Sequence, residues 1–313
     1  MKGQSIRRAL VFAVLVTAAL AWEFLPAQIF RPTPAPAADT IKVASWNLLW
    51  FPSGYPEPQP KADEARRLAA TARFIRTHGM PDVFFFQEIR DDATCQALAG
   101  QLGPNAPRPV VCSAFKDYGT QKPALQQLAI FSRFPVVDSG FEPWSAADFV
   151  YPPRGYAYAL LDIRGALVAC FTVHLKSNYI PEGEDPVKQA TLNRLKRELA
   201  AEQLLRRIAR LEADGHKGRP VKRFIVAGDF NTSIYENRFA KETTIRTFFK
   251  AGFRNAFEGC TGEDYATLPA SPWFPAAFFD YILVKGLNRA APPETLPKFH
   301  ASDHRMIRAT LKP

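Results

Sequence analysis

Several short segments of this chain set residues capable of acid–base, metal or phosphate chemistry at the end of an apolar run. Asn47 closes IKVASWN, and Glu88 closes DVFFFQE. TVHLKS carries His174 and Lys176, and RFIVAGDFNTS carries Asp229 and Asn231. Ser302, Asp303 and His304 stand just before the last apolar run. Such a position is where a rigid strand hands over to a solvent-facing loop, and functional groups concentrate there. A carboxylate following buried aromatics, as Glu88 does, is costly to bury unless it finds a cation. In GDFN, Asp229 can take a proton from water, while the Asn231 amide can hold that water or a phosphate oxygen. Gly, Asp and Asn also build ordinary turns, and the strand in front is what favours chemistry here. Adjacent Asp303 and His304 suit a metal ligand beside a proton donor or phosphate contact. Asp280 sits in the middle of FFDYILV, and a buried aspartate needs a partner. His304 is the candidate, because a carboxylate fixes a histidine's tautomer and raises its pKa. His174 and Lys176 fall on one face of a strand, where a lysine favours an anion site over a core histidine.

The elements that must position these residues follow from apolar periodicity. Strands are expected at Ile41–Asn47, Val83–Gln87, Leu128–Phe131 and Arg223–Ala227, with two more at Phe278–Val284 and Arg305–Leu311. Tyr156–Ile163 and Leu167–Leu175 read as a hairpin turned at Arg164-Gly165. Ala62–His78 is helical and is stopped by Gly79 and Pro81. Val187–Glu212 is a long charged amphipathic helix. Hairpins and helical crossovers together predict an α+β domain over 41–313, with two packed mixed sheets and helices outside.

Composition sets the frame. Of the 313 residues, 47% are hydrophobic, which excludes a disordered chain. Lys2, Arg7 and Arg8 precede the uncharged run 9–22. Residues 1–30 thus read as a signal peptide, with Ala19-Leu20-Ala21 a suitable cleavage site, or as an uncleaved N-terminal anchor. Residues 31–40 read as a Pro/Ala linker. The net charge is +10, and +7 remains once residues 1–38 are set aside, a balance that suits polyanionic partners. In an exported chain the four cysteines can pair, and Cys95–Cys112 is the expected disulfide. Cys170 is expected to be a buried free thiol. No Cys/His spacing points to zinc.

Taken together and in this order, these segments resemble the endonuclease/exonuclease/phosphatase superfamily. It includes DNase I-like nucleases, abasic-site endonucleases, bacterial sphingomyelinases and inositol-phosphate phosphatases. The matching features are the strand ending in Asn47, the QE of FFFQE, LAIFSRFP, the strand ending in His174, GDFN at 228–231, DYIL at 280–283 and SDH at 302–304. The resemblance implies a four-layer α/β/β/α sandwich. It implies Mg²⁺ bound through Glu88 and Asn47, with Asp303 as a second ligand, and the same oxygen-rich set accepts Mn²⁺ or Ca²⁺. Asp229 resembles the group that activates the attacking water, and Asn231 its amide partner on the phosphate. His304, held by Asp280, and His174 resemble the pair that contacts the scissile phosphate. Arg154, just before the hairpin, and Lys176 are the expected phosphate contacts.

The implied activity is metal-dependent hydrolysis of a phosphodiester by in-line water attack. A basic exported member favours nucleic acid, and Trp50, Phe51, Tyr55, Trp144, Phe149 and Tyr151 are candidates for base stacking. Where the phosphatase branch carries Pro-Trp-Cys-Asp-Arg, this chain has Ala277-Phe278-Phe279-Asp280-Tyr281, which lowers the inositol-phosphatase reading. No copy of the sphingomyelinase branch's apolar hairpin stands out. A sphingomyelinase-like or other small phosphoester hydrolase is the alternative, and a non-catalytic binding module is the alternative of another class. A periplasmic or secreted monomer is expected, with no obligate protein partner and with membrane contact only through an uncleaved N-terminal segment.

Overall fold

The computed structural model describes residues 39–312 apart from positions 118, 273 and 274. The expected signal or anchor segment, and the linker up to residue 38, lie outside the described residues.

The first sheet contains β1 (Ile41–Phe51), β2 (Val83–Ile89), β3 (Arg108–Cys112) and β4 (Gln127–Ser132). Late in the chain it gains β11 (Asn288–Arg289), β12 (Glu294–Thr295) and β13 (Ile307–Lys312). The second sheet contains β5 (Val136–Pro143), β6 (Gly155–Ile163), β7 (Ala166–His174), β8 (Val221–Asp229), β9 (Arg254–Asn255) and β10 (Asp280–Lys285). The strand orders are β11-β13-β1-β2-β4-β3, with β12 also on β13, and β5-β6-β7-β8-β10-β9. Helices α1 (Lys61–His78) and α2 (Asp92–Leu102) belong to the first half of the chain, and α3 (Pro186–Asp214) and α4 (Thr244–Lys250) to the second.

The two sheets pack face to face and the helices cover their outer faces, as the α+β expectation required. Strands buried on both faces read as continuous apolar runs, and VFFF in β2 is one. Phe85 enters the core shared with the second sheet, alongside Val226, Val173 and Ile282. Phe84 and Phe86 point the other way, into a core with Ala72 and Ile75 of α1 and Leu98 of α2. The β6–β7 hairpin turns at Arg164-Gly165, where both residues have positive φ, and Asp162 Oδ1 accepts the Gly165 amide at 2.8 Å. Positive φ at both positions suits the right-handed twist of a two-residue hairpin. Asp91 caps α2 by accepting from Thr94 N, and Asp185 caps α3 ahead of Pro186.

Two boundaries differ from the sequence reading. β1 runs on past Asn47 to Phe51 through an irregularity, with Leu49 and Trp50 at positive φ. Asp280 begins β10 instead of lying inside it, because the preceding Phe279 carbonyl pairs with Phe230 N outside the ladder. The four cysteines are free thiols, which corrects the expected Cys95–Cys112 bridge. The pair does meet across α2 and β3, as thiol against thiol, and the Cys112 thiol with burial pushes that of Cys95 up. Cys170 is buried and free, as expected.

Gly228 is required by a close approach. A Cβ there would lie 2.0 Å from the Val173 carbonyl oxygen of β7, at φ +151. Gly228→Ala therefore forces the parallel β7–β8 pair apart. Overpacking of this kind costs about 1–3 kcal/mol, a fall of about 2–10 °C in Tm for a domain of this size. Thermal unfolding by circular dichroism checks this, and an unchanged Tm would refute the packing argument.

Candidate active site

Strand direction brings the predicted residues together. β1 pairs parallel with β2, and β7 parallel with β8, so Asn47, Glu88, His174 and Asp229 all sit at carboxyl ends. β10 is antiparallel to β8, with Asp280 opposite Asp229, and β13 is antiparallel to β1. The start of β10 and the approach to β13 therefore reach the same end of the sandwich, carrying Asp280 and His304. Asn47, Glu88, His174, Asp229, Asn231, Asp280 and His304 are all buried.

Local backbone distortion aims two of them. Glu88 has φ +60 at the point where the β2–β4 register shifts between Gln87 and Ile89. A bulge re-aims its side chain, and Glu88 Oε2 accepts the Trp50 amide at 2.9 Å. Asn231 lies just beyond β8 at φ +53, a region asparagine tolerates. Its amide nitrogen donates to Asp229 Oδ1 at 2.8 Å and its Nδ2 to the Leu175 carbonyl at 3.2 Å.

The Asn47 amide donates to both Glu88 Oε1 and Asp229 Oδ2, each at 3.0 Å. His304 Nδ1 is 2.7 Å from Asp280 Oδ2, and its Nε2 is 3.7 Å from Asp229 Oδ2. Burial works against charge on His304, but Asp280 and Asp229 outweigh it and hold its pKa well above the ordinary value. The charged ring is thereby favoured. His174 is the opposite case: burial, then Arg154, His304 and Lys176, push it well below the ordinary value. Its Nε2 contacts to Asp229 (3.6 Å) and Glu88 (3.8 Å) are those of a neutral ring, not ion pairs. Burial, then Asp280, raise Asp229 to about 7 against the lowering effect of His304. A carboxylate so placed is tuned for proton transfer near neutrality.

Two predicted residues stand apart from this cluster. Asp303 is exposed at the rim, near enough to raise His304 and Arg67 through charge alone. Lys176 is off the strand, since β7 ends at His174, and its Nζ donates to the carbonyl and hydroxyl of Ser177 at 3.1 Å each. Arg154 grips the end of β7, donating through Nε and Nη2 to the His174 carbonyl at 3.1 and 2.9 Å. Among the stacking candidates, Phe51 is fully buried and unable to meet a ligand, whereas Tyr55, Phe149 and Tyr151 are exposed.

Supporting residues to which the sequence assigned no role of their own hold this geometry. Trp46 Nε1 donates to the His304 carbonyl at 3.0 Å, and Ser302 Oγ to the Asn47 carbonyl at 2.7 Å. Gln87 reaches across the sheets to Thr172 Oγ1 at 3.0 Å. Arg197, buried on α3, pairs with Glu242 at 2.6 Å and donates to the Lys176 carbonyl and Asn178 Oδ1. Asn178 Nδ2 donates in turn to the Asn231 carbonyl at 2.8 Å. The loops after His174 and Asp229 are thereby tied to one another. Asn178→Ala breaks both links and is expected to lower kcat/KM about 3–10-fold, the effect of about one buried hydrogen bond. Steady-state kinetics with an unchanged value would show the tie to be dispensable.

The oxygen donors fit a hard divalent cation. Two buried carboxylates, Glu88 and Asp229, stand one amide apart, bridged by the Asn47 Nδ2, while the Asn47 Oδ1 accepts the Leu49 amide at 3.0 Å. Asp229, Asp280 and His304 also place ligand-type atoms within 4.8 Å of one another. The 2.7 Å contact between Asp280 and His304 marks that group as a charge relay instead.

A two-sheet sandwich with a carboxylate–histidine relay and an acidic oxygen cluster at its strand ends describes a class of phosphoester hydrolase. The chain belongs to the Endonuclease/Exonuclease/phosphatase family, whose sequence pattern matches residues 44–304. That family is metal-dependent and acts on phosphoester bonds. Among solved structures, a family protein from Bacteroides thetaiotaomicron is similar, with TM-score 0.60 and 18% identity over 87% of this chain and 94% of that one. Truncated Caenorhabditis elegans TDP2 gives TM-score 0.56 and 16% identity, covering 88% of this chain and 98% of that one. A family protein from Leptotrichia buccalis gives 0.59 and 15%, over 87% and 100%. At these identities the likeness is one of fold. No curated protein matches the sequence.

Proposed function

We propose that the protein is an exported, Mg²⁺-dependent phosphodiesterase acting on nucleic acid, with water as the nucleophile. The observation that carries this is the convergence at the strand ends of Glu88 and Asp229, joined by the Asn47 Nδ2, with His174 and the Asp280-bound His304 beside Asp229. A divalent cation held by Glu88, with Asp303 from the rim as second ligand and the Asn47 Oδ1 once released by the Leu49 amide, would supply charge neutralisation at a phosphate oxygen.

The chain's own residues do the rest. Asp229 takes the proton of the attacking water, which the Asn231 amide holds in line; as the water oxygen bonds to phosphorus the opposite P–O ester bond breaks, and the departing alkoxide takes its proton from solvent. His304, kept protonated by Asp280, donates its Nε2–H to a phosphoryl oxygen on which negative charge grows. Its 3.7 Å separation from Asp229 leaves it unbonded on that side. Neutral His174 donates a second hydrogen bond, and Arg154 places a fixed positive charge behind it. The net charge of +7 that remains once residues 1–38 are set aside, and the exposed aromatics Phe149 and Tyr151, support nucleic acid as the substrate.

The test is a side-by-side assay on plasmid DNA, RNA, sphingomyelin and inositol phosphates. Cleavage of DNA or RNA is expected, and preferential cleavage of the lipid would overturn the substrate reading. Export is tested by the mass of the mature N-terminus, which should lack residues 1–21 if the segment is cleaved.

A further inference from the structure

A groove of about 910 Å³ opens beside the active site, and Trp50 and Arg154 belong to both. Trp50 gives its backbone amide to Glu88 while its ring lines the groove. Arg154 holds the His174 carbonyl and also donates through Nη1 to Gln126 Oε1 on the groove wall at 3.2 Å. The loop between β3 and β4 forms one wall and is a built structure. Gln127 Oε1 accepts from Phe115 N and Ser113 Oγ, and its Nε2 donates to the Phe115 and Ala124 carbonyls. The other wall is α3, through Lys196.

The charge of this groove is one-sided. Among the described residues its lining carries four cations, Lys116, Lys122, Arg154 and Lys196, against one acid, Asp117. Asp117 is already engaged by the amide and hydroxyl of Thr120. Lys196 meets only burial and no carboxylate among the described residues, while Arg154 is drawn by Glu88 and Asp229 and donates to the His174 and Leu175 carbonyls and to Gln126. Lys176, next to this wall, is held down to about 8, by burial first and then by Lys196, Arg154 and Arg197. Like charges gathered at partly buried positions in excess of the acids beside them are unfavourable until an anion enters.

We infer that the Arg154–Lys196 mouth of this groove is a subsite for the phosphate next to the scissile one on a single nucleic-acid strand, with an adjoining base against Trp50 and Tyr151. The inference rests on the phosphodiesterase reading above and names its substrate as a strand with at least two phosphates. A phosphocholine headgroup brings one phosphate and a quaternary ammonium, and a wall of lysines repels the latter. Apolar lining from Phe115, Phe141 and Trp144 beside the cations matches the alternation of base and phosphate in an extended strand.

The test is equilibrium binding of a fluorescein-labelled single-stranded dT8 in EDTA, so that no turnover is needed, at several salt concentrations. Lys196→Gln is expected to weaken binding about 5–10-fold and to reduce the salt slope by about 1, and Lys196→Arg to keep most of the affinity. Lys188→Gln, an exposed charge at the far N-terminal end of α3, should leave the affinity within about twofold. The inference is overturned if wild-type protein does not bind dT8, or if Lys196→Gln has no effect. It is equally overturned if Lys188→Gln weakens binding as much, or if sphingomyelin vesicles bind with the same dependence on Lys196. Failure of the catalytic reading would show separately, as absent turnover with intact dT8 binding.

Discussion

Asp229→Ala is expected to lower kcat for phosphodiester hydrolysis about 10³-fold with little change in KM, the range for removal of a positioned general base. Three features place the burden on this carboxylate. Its Oδ1 is fixed by the Asn231 amide, so only Oδ2 faces the reacting space. Oδ2 is 3.6 Å from His174 Nε2 and 3.7 Å from His304 Nε2, which frames a position for water between two rings. Burial, then Asp280, lift it to about 7, a basicity an exposed aspartate lacks. Asp229→Asn keeps the hydrogen-bond frame and removes the base, so it should be nearly as inactive as the alanine. If stopped-flow and steady-state kinetics show Asp229→Asn within about tenfold of wild type, Asp229 is not the base.

His304→Ala should cost about 10²–10³-fold in kcat, because the donor lost is a charged one aimed at developing negative charge. The sign of its pH dependence is set by Asp280. With the carboxylate 2.7 Å away, the folded pKa lies well above that of a free imidazole. The imidazolium therefore persists through neutrality, and activity requiring it is lost only as pH rises through the folded value. Asp280→Asn removes the first of the effects that raise this pKa, so the alkaline limb of the kcat profile should move to lower pH. The same linkage acts on stability: the raised pKa contributes stability below the unfolded value, and this is lost as pH rises through the folded one. An alkaline limb that stays in place in Asp280→Asn would show that another group governs it.

The sequence made the scaffold legible where burial was two-sided. VFFF, FIVAG and YILV read as strands because both faces of each are covered, and the Arg164-Gly165 turn announced its own hairpin. The site was legible as polar residues at strand ends, because parallel pairing brings such ends together whatever the loops do. Backbone departures were not legible. Nothing in FFFQE says that Glu88 takes φ +60, and the irregularity that carries β1 on to Phe51 turned an expected loop aromatic into a core residue. Lys176 was misplaced for a related reason: alternation cannot say where a strand stops, and β7 stops at His174. Arg197 was hidden within a helix of many charges. Only the fold shows that this arginine faces inward to Glu242 while its neighbours face water. The cysteines show the limit of proximity arguments, since Cys95 and Cys112 meet as predicted and remain thiols.

On the proposed function, Glu88, Asp229, His304 and their partners form a working metal-dependent phosphoesterase centre. The most direct measurement is turnover of bis-p-nitrophenyl phosphate by protein stripped with EDTA and then supplied separately with Mg²⁺, Mn²⁺ or Ca²⁺. No turnover is expected in EDTA, with recovery on addition of at least one of these ions and no recovery in Asp229→Ala or His304→Ala. Absence of turnover with all three ions in the folded wild-type protein, or undiminished turnover in EDTA, would contradict that function.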